Sequence, residues 1–175
     1  MNHVSRESGA ALKHAIVPGR RVNKAWIVEF LVQRFCGPGV RLVLYGDLSR
    51  TMDELGACPG SYCHNPPGEI RASFRPPDET NCRVTVPTEQ PDVIPRLRDI
   101  FHRVGIAANV HHIEILRGTE RLFTSYDRWE DYLGVSEMST EELWEMVDNG
   151  LLRAFGSVEL KPFRFIPAQR NTSSK

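Results

Sequence analysis

The sequence has no long hydrophobic run. Its longest apolar stretch, Ala25 to Val32, carries Glu29 in its middle and is far shorter than the ~20 residues a membrane-spanning helix needs. The first twenty residues lack the apolar core of a secretory signal. Cysteine is scarce, with Cys36, Cys58, Cys63 and Cys82 the only four, too few and too loosely spaced for a disulfide scaffold. These features together point to a reducing, cytoplasmic setting. Net charge is absent as well: 22 Lys and Arg balance 22 Asp and Glu, so no global field draws the chain to nucleic acid or to a membrane surface. A glycine-rich phosphate loop, a dinucleotide fingerprint, a zinc-protease helix and a nucleophile elbow are all missing. So is a basic stripe interleaved with aromatics, which excludes the usual footprint of single-strand binding.

What is present suffices for one globular domain. A length of 175 residues with 41% apolar and 25% charged side chains is close to globular averages and can bury a sizeable core. Residues 1–20 show no periodicity and read as a flexible arm, residues 21–160 as a single α+β domain, and residues 161–175 as a basic tail.

Asn23 is placed to cap a helix whose apolar stripe is Trp26, Ile27, Phe30, Leu31 and Phe35, with Val28 and Val32 widening it. Gly37-Pro38-Gly39 ends it. Val40 to Tyr45 is apolar on both faces, as a central strand covered on two sides would be. A short helix over 48–55, capped by Ser49, precedes a loop over 56–68. Two alternating segments follow, 70–75 and 82–86, read as a hairpin that aligns Ala72 with Val84. Asp92 then opens a helix with the stripe Val93, Leu97, Ile100, Phe101 and Val104. A second hairpin turns at Gly118-Thr119 and sets Ile113 and Ile115 opposite Thr124 and Leu122. Ser139 and Glu142 form a capping box for the last helix. Phe163, Phe165 and Ile166 suggest a short strand in the tail.

The expected architecture is an antiparallel sheet of about five strands with helices packed on it. From Val40 to Leu116 the element order is that of the split βαβ, or ferredoxin-like, unit, with helices added at either end.

Three groups of residues are candidates for chemistry or binding. Cys58, Cys63 and His64 bring soft thiolates and an imidazole to one Gly/Pro-rich loop, a donor set that zinc takes. Cys82 is the fourth ligand such a site would need, and Cys36 reads as packing. No other cofactor is expected. His112 and Glu114 are two residues apart on one strand face, placed for a metal pair or an acid–base pair, whereas His111 points to the core. The third group is the aromatic and acidic run Tyr126, Trp129, Glu130, Asp131 and Tyr132, expected at a sheet edge. It continues into the acids Glu141 and Glu145. From Asp127 to Asp148 there are eight acids against one base, Arg128.

The leading reading is a non-catalytic protein-interaction or regulatory domain. Its acidic, aromatic surface would face a partner protein with a basic surface. The rival is a small zinc-binding protein or metal-dependent enzyme using the Cys58/Cys63/His64 loop or the His112/Glu114 pair.

Overall fold

The computed structural model describes residues 12–47, 62–64, 81–89, 92–104, 110–126, 132–160 and 163–170. In chain order these form β1 (His14–Pro18), α1 (Lys24–Phe35), β2 (Val40–Asp47), β3 (Tyr62–His64), β4 (Asn81–Pro87), α2 (Val93–Val104), β5 (Val110–Arg117), β6 (Glu120–Tyr126), β7 (Tyr132–Val135), α3 (Thr140–Asp148), β8 (Leu152–Leu160) and β9 (Phe163–Pro167). The class is α+β. The nine strands form one antiparallel sheet in the order β3-β4-β2-β5-β6-β7-β1-β8-β9. No helix among the described residues is long and apolar enough to cross a membrane.

The helix starts and stops follow the local chemistry. The Asn23 side chain accepts a hydrogen bond from the Ala25 amide at 3.0 Å, which satisfies one of the free N–H groups of the first turn of α1. Ser139 and Glu142 form the reciprocal capping box of α3. Gly118 takes a positive φ of 57° in the β5–β6 turn, a conformation that favours glycine.

One face of the sheet carries Leu42, Leu44, Val84, Val86, Ile113, Ile115, Phe123 and Val135, all 2% exposed or less, and makes a single core with the three helices. Helix α1 buries Ala25, Ile27, Val28, Leu31, Val32 and Phe35. At about 100° per residue these six occupy an arc of about 160°. Trp26, Glu29, Phe30 and Gln33 fall on the opposite side. The stripe is therefore rotated from the expected one. Trp26 is 57% exposed, the one large apolar side chain left exposed among the described residues, and Phe30 is only partly buried. Burying Trp26 would have carried its helix-face neighbours Glu29 and Gln33 into the core.

The second face of the central strand is covered too: Val43 is fully buried and Tyr45 is 6% exposed. Elsewhere the strands depart from the sequence reading. Residues 14–18, expected in an arm, form β1, which pairs with β7 on one side and β8 on the other. Residues 152–160 form a strand that the broken alternation of Leu152, Phe155 and Gly156 conceals, and β9 pairs with it in the expected tail. Val84, expected across from Ala72, lies across from Leu44 on one side and Cys63 on the other. Segments 48–55 and 70–75 lie outside the described residues. In the β5–β6 hairpin a bulge shifts the register between Ile115 and Leu116, so Ile115 faces Phe123 and Ile113 faces Ser125. Leu122 is the extra residue, and both it and Phe123 are fully buried. His111, expected in the core, is the extra residue of a second bulge, between the pairs Tyr45–His112 and Gly46–Val110, and is half-buried.

Leu31→Ala in α1 should cost about 2–5 kcal/mol in urea denaturation, because it opens a cavity in the shared core. Trp26→Ala should change stability by only about 0.5 kcal/mol, as surface substitutions do.

Candidate functional site

The third sequence candidate is divided by the structure. Tyr126 and Tyr132 are register partners at the ends of β6 and β7, two interior strands of the sheet. Trp129, Glu130 and Asp131 lie outside the described residues. The acids that follow are largely paired. Arg34 binds Glu142, Arg117 binds Glu137 at 2.8 Å, and Arg170 binds Asp148 at 2.7 Å. The hydrogen bond to Arg34 lowers the pKa of Glu142 and raises that of Arg34. Glu141 and Glu145 remain exposed. Trp144 is held between Phe155, 4.9 Å away edge-to-face, and the Arg170 guanidinium, 4.9 Å over its ring.

The second candidate is surrounded by further polar groups on the sheet face away from the helices. Glu114 is 8% exposed. One of its oxygens lies 2.9 Å from Arg121 Nε and the other accepts from the Tyr45 hydroxyl at 3.4 Å. The His112 ring packs edge-to-face on Tyr45 at 6.2 Å, and Arg83 stacks over Tyr45 at 5.3 Å. Glu114 is thus ion-paired through one oxygen and hydrogen-bonded through the other, and Tyr45 contacts both it and His112, making a cross-strand network. Of the first candidate, Cys58 lies outside the described residues. The backbone places Cys63 opposite Val84 and His64 opposite Arg83. No group of three His, Cys, Asp or Glu placed to hold a metal ion occurs among the described residues.

Among the described residues, a site with the form of a binding pocket lies on the helix layer, where the sequence reading had put core. An open groove of about 430 Å³ is lined by Trp26, Glu29, Phe30 and Gln33 of α1, Arg98 and His102 of α2, and Leu151. This volume is within the range of small-molecule sites. The spacing builds it: Trp26, Glu29, Phe30 and Gln33 are i, i+3, i+4 and i+7 on one helix, and Arg98 and His102 are i and i+4 on its neighbour.

Glu29 anchors the rim. Its Oε1 accepts from the Arg98 guanidinium and from Gln33 Nε2 at 3.2 Å, and its Oε2 lies 3.1 Å from His102 Nε2. Burial pushes the Glu29 pKa up, but hydrogen bonds from His102 and Arg98 outweigh it and hold the pKa below the usual value. An ionised carboxylate only accepts, so His102 Nε2 carries the hydrogen. His102 in turn contacts Trp26 edge-to-face at 6.1 Å. Sequence reasoning missed this site because it assigned Trp26 to the core. The available signal was Glu29, whose place beside Trp26 on the helix wheel marks that side as outer.

Comparison of the chain with protein-family models, with curated proteins and with solved structures finds no match.

Because the folded-state pKa of Glu29 lies below its unfolded value, its ion pairs contribute stability that is fully present above the unfolded carboxylate pKa. That contribution is lost as pH falls through the lowered folded pKa. Glu29→Gln should therefore flatten the acid limb of a stability–pH curve. Carboxylate NMR titration of the parent chain should find Glu29 titrating below the usual range.

Proposed function

We propose that this chain is a non-catalytic binding or regulatory domain whose recognition site is the groove between α1 and α2. The observation that supports it is the exposed Trp26 beside Glu29, whose carboxylate is held by Arg98, His102 and Gln33. A rigid indole contributes large contact area at small entropic loss, and a fixed polar rim orients what sits on it. The other polar centre, around Glu114, is read as structural, since each Glu114 oxygen already has a partner. Cys36, expected to pack, is instead an exposed free thiol, which suits a reducing, cytoplasmic setting. The strand order β5-β2-β4-β3, all antiparallel, supports a ferredoxin-like core in the first half of the chain. Its first crossover falls outside the described residues.

A second reading keeps a protein partner with a basic surface on α3, where Glu141 and Glu145 are the exposed acids not drawn into the ion pairs of the helix layer.

The test is fragment mapping by amide NMR with small aromatic and aliphatic probes. Aromatic fragments should shift amides of residues 26–33 and 98–102 and lose this effect in Trp26→Ala. Shifts confined to the sheet face around Tyr45 and His112 would contradict the groove reading. For α3, Glu141→Lys with Glu145→Lys should abolish salt-sensitive binding of a polylysine peptide. Unchanged binding would remove that reading.

A further inference from the structure

The polar groups of the groove differ in how much of their hydrogen-bonding capacity is already used. Three donors converge on Glu29, two on Oε1 and one on Oε2, so the carboxylate has little acceptor capacity left for a ligand. Arg98 is in the opposite condition. Only its Nε and Nη2 contact Glu29, and its side chain is 53% exposed. A guanidinium carries five N–H donors in a planar fork, so Arg98 has donors left that lie at the mouth of the groove. What the rim offers a ligand is a cationic, planar pair of N–H groups. What the floor and wall offer is the indole of Trp26, the ring of Phe30 and the side chain of Leu151.

The unused hydrogen-bonding capacity decides the sign of the ligand. A cation placed over Trp26 would find the one carboxylate lining the groove already taken up by Arg98, His102 and Gln33. An anion would meet an exposed guanidinium able to bind it in a bidentate manner. Trp26 and Arg98 are bridged by His102, 6.1 Å from the indole and one helical turn from Arg98. Both line the one groove, so a ring on Trp26 and an acid on Arg98 can belong to one molecule.

We propose that the groove binds a small planar aromatic carboxylate, its ring against Trp26 and Phe30 and its carboxylate on the outer edge of Arg98. This rests on the groove being the recognition site and adds the class of ligand.

The experiment titrates the full chain, followed by amide NMR, with three probes of one shape: indole-3-acetate, the neutral indole-3-acetamide and the cationic tryptamine. The acid is expected to bind about tenfold or more tightly than the amide, the range of a charge-assisted hydrogen bond, with tryptamine weakest. In Arg98→Gln the acid and the amide should bind alike, with both still shifting residues 26–33. Three probes that map to the groove with equal affinity would overturn the carboxylate proposal and leave the groove reading standing. No groove shifts with any probe would overturn both. A peptide ending in a Trp carboxylate that binds far more tightly than indole-3-acetate would overturn the small-molecule assignment in favour of a chain terminus.

Discussion

The helix layer takes its form from the burial of α1. Six of its twelve residues are 2% exposed or less, and apolar burial on that scale contributes about 1.5–3 kcal/mol for each large side chain. To cover so wide an arc, the chain needs an apolar sheet face beneath the helix and further packing beside it. The buried sheet face and α2 share one core with α1. The same constraint leaves Trp26, Glu29, Phe30 and Gln33 on the outer side of α1, where they line the groove.

Electrostatics then ties the layer together. The acid-rich segment from Asp127 to Asp148 looks in sequence like a surface offered to a partner. In space, three of its acids meet bases from outside the segment: Arg34 of α1, Arg117 of β5 and Arg170 of the C-terminal stretch. Charge segregation along the chain is, for these residues, charge pairing across the fold. Exposed pairs of this kind contribute little stability individually. Their consequence here is positional, since Arg34 joins the end of α1 to the capped start of α3.

The parts of the fold legible in the sequence were those with local determinants. Asn23 and the Ser139–Glu142 box mark helix starts, and the stripe Val93, Leu97, Ile100 and Phe101 marks α2. The two-faced apolarity of Val40 to Tyr45 marks a central strand. What was not legible depends on partners distant in sequence. β1 has only Ile16 fully buried and is held by backbone pairing to β7 and β8. β8 breaks its alternation, and the bulge at β5–β6 slips a register that turn chemistry alone would set otherwise. The groove was hidden for a related reason. A helix apolar around most of its circumference admits two overlapping stripes, and periodicity does not choose between them. The polar residues Glu29 and Gln33, which lie beside Trp26, do choose.

The account stands on Trp26 being an exposed ligand-facing side chain, and 5-fluorotryptophan labelling with 19F NMR tests this most directly. Trp26→Phe assigns the Trp26 resonance among the three. That resonance should show a large solvent-isotope shift between H2O and D2O, and it should move on titration with indole-3-acetate while the Trp144 resonance stays fixed. A Trp26 signal shielded from solvent and unmoved by the probe would contradict the account and return Trp26 to the core.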